Sequence, residues 1–247
     1  MKIAVLSDIH GNMDALSAVL EDVKEQGCNK MYCLGDYAMA GPEPDKTISK
    51  IIELRNEYDM TLIQGNTDLM IAEYSEERCN SLKTTAPVMA EALKDDVRII
   101  SSDKIEFLKQ LPEKIQTEED GIKILLVHGS PRKNNENILP DTPLEEVEQM
   151  LEGVDATLIL CGHTHIPCGF QTSKGQTVIN VGSVGRPFTE KPKACYLVLT
   201  ISDGKYLIEH RFVKYDNEAA SRKILERTFE GKEKLAETLI HPSERHF

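Results

Sequence analysis

The amino-acid sequence predicts an α/β fold, and three features of the chain lead to this prediction. Short and nearly continuous apolar runs, of which residues 2–7 are the first, are typical of strands buried on both faces. Between two such runs, apolar residues recur at the spacing of one helix face, at Leu16, Val19, Leu20 and Val23. Strands and helices then alternate, which favours βαβ units and a doubly wound sheet.

Taken in order, the predicted elements cover most of the chain. The first helix is capped by Asn12 and ends at Gly27, and further helices are predicted at residues 45–57 and 143–151. We expect a single domain over residues 1–247, with a cap-like segment of two or three helices at about residues 69–110 and a helical tail at about 216–240. The predicted strands are residues 2–7, 31–34, 60–63, 114–117, 122–127, 156–160, 168–172, 177–181, 194–201 and 206–212.

Length and composition limit the class of protein. With 247 residues, 40% of them hydrophobic, the chain can bury a full core. Its net charge of −12 argues against strong binding to nucleic acid or to an anionic membrane, since both require clustered Lys and Arg. A phosphorylated small molecule or nucleotide remains a suitable substrate if bound cations supply the positive charge.

Cysteine spacing and hydropathy bear on the cellular compartment. The six cysteines include no C-x-x-C pair, so we expect reduced thiols rather than disulfides or a thiolate zinc site, and Cys161 is interpreted as a buried apolar residue. No apolar run approaches the length that spans a bilayer, and the N-terminal run is too short for a signal peptide. We therefore expect a cytoplasmic protein. The sequence leaves its oligomeric state open.

Polar residues that can bind a metal follow each of the five strongest strands. They are Asp8 and His10 after the first strand, Asp36 after the second, Asn66, Thr67 and Asp68 after the third, His128 after the fourth, and His163 and His165 after the fifth. Because ligand sites in open α/β sheets form at the carboxyl ends of strands, these loops can converge. Carboxylate, amide and imidazole groups suit Mn²⁺, Fe, Zn²⁺, Ni²⁺ or Co²⁺ without any thiolate.

In order along the chain, these residues form the motif set D-x-H, G-D, G-N-x-D, H-G and G-H-x-H. Over about residues 1–201, the set resembles that of the calcineurin-like metallophosphoesterase superfamily, and of its small prokaryotic phosphoesterases in particular. The resemblance implies a four-layer α/β/β/α sandwich, here with a helical insert, and a dinuclear metal site. It implies one metal bound by Asp8, His10 and His165, another bound by Asn66, His128 and His163, and a bridging Asp36.

The implied activity is metal-dependent hydrolysis of a phosphate ester. Two divalent cations about 3.5–4 Å apart lower the pKa of a shared water, so the expected nucleophile is a hydroxide that bridges the metals. We expect Mn²⁺ first, and Fe, Zn²⁺, Ni²⁺ and Co²⁺ stay open. Phosphodiesters and dinucleoside polyphosphates are the favoured substrates. The alternatives are a phosphomonoesterase or protein serine/threonine phosphatase, and a non-catalytic scaffold or binding protein with the same fold.

One position departs from the family pattern. Relatives usually carry a His after G-N, hydrogen-bonded to the following acidic residue, and that His serves as a proton donor. This chain has Thr67 there, followed by Asp68, which is expected to lack its usual partner. A threonine hydroxyl can donate a hydrogen bond to a phosphoryl oxygen, but it is a poor general acid. We infer a substrate with a good leaving group, protonation by another group, or weak activity.

Four residues near the motifs are further candidates for the site. Arg132 and Arg186 lie on loops that should face the metals, and a guanidinium can clamp a phosphate with two hydrogen bonds. Together with Thr67 and Asp68, these arginines are the predicted catalytic residues. Asn180 and Ser183 are candidates to orient the metal ligands through hydrogen bonds.

The remaining segments are assigned by their place in the chain. The helical segment at residues 69–110 directly follows the Asn66 loop, so we expect it to cover one side of the metal cleft and to set the size of the substrate. The Met and Tyr side chains of this segment are interpreted as core residues. His241 and His246 are interpreted as residues of the tail, without a role in the site.

Overall fold

Two β-sheets form the centre of the molecule in a computed structural model that describes residues 1–242; His246 lies outside the described residues. In this part of the chain each sheet has five strands. The strands are β1 (Lys2–Leu6), β2 (Lys30–Cys33), β3 (Asp59–Leu62), β4 (Lys114–Glu119), β5 (Ile122–Val127), β6 (Leu158–Cys161), β7 (Cys168–Gln171), β8 (Thr177–Asn180), β9 (Ala194–Ser202) and β10 (Lys205–Val213).

Each sheet combines parallel and antiparallel pairs. The first sheet has the order β10-β9-β1-β2-β3, in which β1, β2 and β3 are parallel. The second has the order β4-β5-β6-β8-β7, in which β5, β6 and β8 are parallel. The strand–helix alternation had favoured one doubly wound sheet, and this was wrong. The alternation is interrupted by a helical insert. The five strands directly after the insert, β4 to β8, form a second sheet, and β9 and β10 return to the first.

The two sheets pack face to face. Successive side chains of a strand point to opposite faces, so Ile3 and Val5 of β1 pack against the second sheet while Ala4 and Leu6 pack against helices. Burying an Ile or Val in such a core contributes about 1.5–3 kcal/mol. A separate apolar cluster lies on the outer face of the second sheet. The four-layer α/β/β/α sandwich is therefore confirmed.

Helices cover both outer faces. The segment predicted to contain two or three helices has four, α3 to α6, because short loops break it after residues 72, 85 and 99. No helix in residues 1–242 is long and apolar enough to cross a bilayer. The helices are α1 (Met13–Glu25), α2 (Pro44–Leu54), α3 (Asn66–Ala72), α4 (Glu76–Thr85), α5 (Pro87–Ile99), α6 (Ser102–Lys109), α7 (Leu144–Met150), α8 (Asn217–Glu226) and α9 (Lys232–Thr238).

The C-terminal segment folds back over the insert. Helix α8 packs against α1, and α9 packs against both α8 and α5. Gly231, at φ +81°, occupies the N-cap of α9, in a left-handed conformation that glycine adopts without strain. Leu235 and Ala236 of α9 are buried in the same apolar cluster as Ala92 and Leu93 of α5. The tail is thus an integral part of the layer that contains the insert.

The ends of the parallel strands meet at one edge of the sandwich. In the first sheet, the N–H of Asp8 donates to the carbonyl of Gly35 at 3.1 Å. In the second sheet, the N–H of Gly162 donates to the carbonyl of His128 at 2.8 Å. The sheets are joined where the N–H of His163 donates to Asp8 Oδ2 at 2.9 Å. The five strand-end motifs therefore lie together.

Candidate metal centre

The backbone is strained at the strand-end motifs. Among the described residues, eight non-glycine residues have a left-handed backbone, and five of these belong to the motifs. This conformation is uncommon for residues with a Cβ and persists only where surrounding contacts impose it, most often at functional sites. The five are Asp8, His10, Asp36, His163 and His165, with φ from +46° to +66°.

Two glycines let the loops approach these residues. A Cβ on Gly162 would lie 2.0 Å from Ser7 Oγ and 2.5 Å from Asp8 Oδ2. A Cβ on Gly65 would lie 2.1 Å from Asp36 Oδ1. Such contacts are far too short for any real side chain, so the loops close around the carboxylates only because glycine occupies both positions.

In three of the histidines, a hydrogen bond fixes both the orientation of the ring and its tautomer. Each donates its Nδ1–H to a backbone carbonyl, which leaves Nε2 with a free lone pair when the ring is neutral. This arrangement is common for metal-binding histidines. The pairs are His10 with Met39 at 2.8 Å, His128 with Leu34 at 2.7 Å, and His165 with Arg186 at 2.7 Å.

A first group of candidate ligand atoms consists of His10 Nε2, His165 Nε2 and Asp8 Oδ1. His10 Nε2 and His165 Nε2 are 3.1 Å apart. Asp8 Oδ1 lies 3.2 Å from His165 Nε2 and 3.8 Å from His10 Nε2. Asp8 is fully buried, and within the described structure its Oδ1 has no hydrogen-bond partner. Lone pairs that face one another at this distance repel unless a cation or a proton lies between them. The group therefore fits a cation.

A second group adjoins the first. Asp36 Oδ2 lies 3.4 Å from His128 Nε2 and 3.7 Å from His10 Nε2, so this one oxygen faces both groups. Asn66 Oδ1 lies 3.0 Å from His128 Nε2, and when the His128 ring is neutral, as in a metal ligand, these atoms are two acceptors in contact. The His163 ring packs edge-on against His128, with centroids 5.4 Å apart. The structure thus brings all seven predicted ligands together, and their division between two metals stays a prediction.

Burial and mutual charge shift the pKa values of these groups. Burial opposes ionisation of Asp8, but the neighbouring imidazoles of His165 and His128 outweigh it and lower the pKa of this carboxyl. Burial likewise opposes protonation of His128, but Asp36 and Asp8 raise its pKa to about 10. For His10, burial and the charge of His165 lower the pKa to about 4. Negative charge therefore dominates where the two carboxylates meet, as divalent cations require.

Thr67 and Asp68, both predicted to be catalytic, lie in different environments: Thr67 lines the cleft and Asp68 does not. Thr67 lines the cleft above the metal ligands, and its buried Oγ1 has no hydrogen-bond partner among the described residues. Asp68 is fully buried and is not among the residues that line the cleft. Its carboxylate accepts the backbone N–H groups of Asp36 at 2.7 Å, Tyr37 at 2.9 Å and Gly65 at 2.9 Å. Asp68 thus has partners, although they are backbone amides rather than a histidine.

The two candidate arginines lie in different places. Arg132 lines a separate depression, and its Nε donates to Glu136 Oε2 at 3.0 Å. The structure does not bring Arg132 to the metal cleft, so its phosphate contact stays a prediction without geometric support. Arg186 lines the metal cleft, and its side chain is half-buried.

The two residues expected to orient the ligands contact the motif loops directly. Asn180 Nδ2 donates to the carbonyl of Gly162 at 2.6 Å and to Thr164 Oγ1 at 2.9 Å, within the G-H-x-H turn. Ser183 Oγ donates to the carbonyl of Asp8 at 2.8 Å. Both side chains therefore tie the loop that follows β8 to loops that carry predicted ligands.

Several cleft residues were missed at the level of sequence. The cleft has a volume of about 620 Å³. Phe188 stacks on the His165 ring with centroids 5.0 Å apart and planes at 14°, and its place in the loop after β8 was the only sign of a role. His241, interpreted as a tail residue, also lines the cleft, and no local pattern indicates this. The other missed lining residues are Ala86, Met89, Lys234, Leu235, Glu237 and Thr238.

Comparisons with known proteins agree with this architecture. An uncharacterized protein of Methanocaldococcus jannaschii, MJ0912, is 31% identical over an alignment of 241 residues, and the match covers 90% of this chain and 91% of that protein. The crystal structure of the hypothetical protein PH1004 from Pyrococcus horikoshii superposes with a TM-score of 0.86 at 25% identity and covers 99% of both chains. A metallophosphoesterase from Sphaerobacter thermophilus has the same fold, with a TM-score of 0.75 at 23% identity over 97% of this chain and 98% of its own.

The family follows from a match over most of the sequence. Residues 1–204 match the model of the calcineurin-like phosphoesterase superfamily domain, and these residues include every motif of the candidate metal centre. Members of this family bind divalent metals, and residues 1–242 contain two groups of Asp and His whose ligand atoms lie within 4.8 Å of one another. This chain belongs to the calcineurin-like phosphoesterase superfamily.

Proposed function

We propose that this protein is a cytoplasmic, metal-dependent hydrolase of phosphate esters, with phosphodiesters or dinucleoside polyphosphates as the favoured substrates. The observation that carries the proposal is the convergence of acceptor atoms without donors between them, above all His10 Nε2 and His165 Nε2 beside the orphaned Asp8 Oδ1. A protein that served only as a scaffold would have no need to bury this set. The six cysteines are all free thiols, which suits a reducing compartment.

The chain's own residues supply orientation and charge. Bound divalent cations would activate a water as the nucleophile and would stabilise charge on the phosphoryl oxygens. Asp36, which faces both ligand groups, would bridge the cations and hold their separation. The Thr67 hydroxyl would donate a hydrogen bond to a phosphoryl oxygen. Because Thr67 is a poor general acid, a substrate with a good leaving group suits this site.

The two cavities beside Asn66 support a substrate that has an organic group on each side of the scissile phosphorus. A second groove, of about 510 Å³, runs beneath α4, and Asn66 lines both this groove and the metal cleft. A phosphodiester or a dinucleoside polyphosphate carries an organic group on each side of its scissile phosphorus. Residues of the insert line both spaces, among them Met89 in the cleft and Tyr74 in the groove. The insert would therefore set substrate size.

The proposal is tested by turnover of bis-p-nitrophenyl phosphate, a diester, and p-nitrophenyl phosphate, a monoester, with Mn²⁺ added to the metal-free protein. We expect activity that depends on Mn²⁺ and favours the diester. Asp36→Asn should reduce turnover by about 100-fold or more, because loss of a bridging carboxylate affects both metals. Absence of turnover on both esters, together with an unchanged Asp36→Asn variant, would refute the proposal in favour of a binding protein.

A further inference from the structure

The backbone of Arg186 is tied to the metal centre. Its N–H donates to Ser183 Oγ at 2.8 Å, and its carbonyl accepts the Nδ1–H of His165 at 2.7 Å. Ser183 Oγ in turn donates to the carbonyl of Asp8 at 2.8 Å. Hydrogen bonds to the loops that contain Asp8 and His165 therefore fix the backbone position of Arg186.

The guanidinium of Arg186 lies in the cleft wall without a carboxylate. Within residues 1–242 it forms no ion pair, and its hydrogen bonds are long ones, from Nη1 to Met89 Sδ at 3.9 Å and from Nη2 to Thr238 Oγ1 at 3.5 Å. Its Nε is buried and has no partner in the same part of the chain. Burial lowers the pKa of Arg186 to about 10, so the group remains charged at neutral pH.

An unpaired, partly desolvated guanidinium is unfavourable, and an anion relieves this cost. A guanidinium offers five N–H donors in a planar fork, which matches two oxygens of a phosphoryl group. The outer rim of the cleft does not supply a competing cationic site, because Lys234 and Glu237 of α9 both line it and have opposite charges. Arg186 is thus the inner positive charge that a substrate in this cleft would meet.

We propose that Arg186 binds a second phosphoryl group of the substrate, adjacent to the one at the metal centre, so that the cleft selects phosphoanhydride or polyphosphate substrates. This inference rests on the proposed function and narrows its substrate class. Met89 of α5 and Thr238 of α9 flank the guanidinium, so the insert and the C-terminal segment together form this subsite. The alternative is that Arg186 contacts the scissile phosphoryl group itself.

The two alternatives are separated by a matched pair of stable ligands. Methylphosphonate has one phosphoryl group and methylenediphosphonate has two. Their binding to the Mn²⁺-loaded, desalted full-length protein is measured by isothermal titration calorimetry. We expect Arg186→Met to weaken methylenediphosphonate binding about 10- to 100-fold and methylphosphonate binding less than about threefold. Arg186→Lys, which keeps the charge but loses the fork, should give an intermediate loss.

Lys234→Met is the matched control, since it removes a cation from the rim of the same cleft and should leave both affinities within about twofold. Circular dichroism and manganese content establish that each variant is folded and loaded. An equal loss for both ligands would assign Arg186 to the scissile group and overturn the proposal, and so would unchanged binding of both.

The result can be separated from the proposed function. Turnover of bis-p-nitrophenyl phosphate by the wild-type protein reports on hydrolysis alone. If the wild type is active but Arg186→Met keeps its affinity for methylenediphosphonate, only the second subsite is refuted. If the wild type is inactive but Arg186→Met selectively loses affinity for methylenediphosphonate, the second subsite is supported and the proposed hydrolase function is refuted.

Discussion

Asp68 fixes the two loops from which Asp36 and Asn66 extend. It accepts one backbone N–H from Asp36, one from Tyr37 and one from Gly65, at 2.7–2.9 Å, although no solvent reaches it. Burial and the nearby Asp36 charge raise the pKa of Asp68 to about 7, while the three N–H donors favour its ionised form. We interpret Asp68 as a positioning residue that acts on the metal ligands through the backbone.

Replacing Asp68 with Asn tests this interpretation. Asn has nearly the same shape, but one acceptor becomes a donor and at least one buried N–H loses its partner. We expect the free energy of unfolding to fall by about 1–3 kcal/mol and Mn²⁺ affinity to fall about 10- to 100-fold. Denaturant unfolding and Mn²⁺ titration measure the two effects. The control is Asp141→Asn at an exposed position, which should change neither. A variant that lost turnover with stability and Mn²⁺ affinity intact would make Asp68 catalytic instead.

The convergence of the seven candidate ligands could be predicted from the sequence, but the contacts of Asp68 could not. Each ligand follows a short apolar strand, and the order of the five motifs is distinctive, so position along the chain was sufficient. The partners of Asp68 are backbone amides of residues 36, 37 and 65, and no pattern of side chains displays them. The loss of the usual histidine at position 67 therefore suggested an unpartnered Asp68, whereas the backbone supplies the partners.

Helix α1 is held to the antiparallel strands of the first sheet by a polar cluster. Arg211 of β10 binds Asp22 of α1 with two hydrogen bonds, from Nε at 2.6 Å and from Nη2 at 2.8 Å. The hydroxyl of Tyr196 on β9 donates to the same carboxylate at 2.6 Å. The hydrogen bonds from Arg211 lower the pKa of Asp22 more than its burial raises it. This contact joins elements almost 190 residues apart in sequence.

The lowered pKa of Asp22 predicts a pH dependence of stability. Because the folded pKa lies below the ordinary value of 3.8, the ionised carboxylate stabilises the fold above that pH, and this contribution is lost as the pH falls through the folded pKa. At pH 7, Asp22→Asn should lower the free energy of unfolding by about 1–2 kcal/mol. The difference from wild type should shrink at the acid end of a series of urea titrations between pH 7 and pH 3.

Glu209→Gln is the control for this prediction. Glu209 also pairs with Arg211, at 2.7 Å, but its side chain is 55% exposed, so solvent weakens the interaction. We expect a stability change of less than about 0.5 kcal/mol at every pH. A constant difference between Asp22→Asn and wild type from pH 7 to pH 3 would contradict the assignment of this pH dependence to Asp22.

Elements with a strong local pattern were predicted well, whereas the surface that the C-terminal helix covers was not. The periodic apolar face of α1 and the turn at Asp203 and Gly204, with φ +53° and +67°, are encoded in neighbouring residues. The apolar face of α9 was likewise visible as part of an amphipathic tail. One of its two packing partners named above, α5, lies more than 130 residues earlier, and amphipathicity does not specify which surface a helix covers. For this reason His241 was assigned to a free tail instead of to the cleft.

A buried ion cluster joins three parts of the chain that are distant in sequence and adjoin the metal centre. Arg227, which follows α8, donates to Asp95 Oδ2 at 2.7 Å, lies 2.8 Å from Asp96 Oδ1, and donates to the carbonyl of Gly41 at 2.7 Å. Asp96 Oδ2 accepts the N–H of Ala40 at 2.8 Å. The insert, the C-terminal segment and the loop after β2 are thus joined by one set of side chains. That loop also contains Met39, whose carbonyl orients His10.

Removing the guanidinium should therefore affect both stability and the metal centre. Arg227→Met keeps much of the volume but leaves Asp96 buried without its cation and Asp95 with Arg98 alone. Loss of one partner from a buried ion pair costs about 3–5 kcal/mol. Burial raises the pKa of Asp96 to about 6 even with Arg227 present. We expect a fall of this size in the free energy of unfolding and weaker Mn²⁺ binding, since Ala40 and Gly41 adjoin the Met39 carbonyl.

Arg98→Met supplies the comparison, because Arg98 pairs with the other oxygen of Asp95 but its side chain is 63% exposed. An exposed pair contributes about 0–1 kcal/mol, so this variant should bind Mn²⁺ like the wild type and lose little stability. Denaturant unfolding and Mn²⁺ titration on both variants decide the matter. Equal effects of Arg98→Met and Arg227→Met would mean that Asp95 needs only a nearby positive charge. A loss confined to Arg227→Met would mean that the buried cluster couples the C-terminal segment to the orientation of His10.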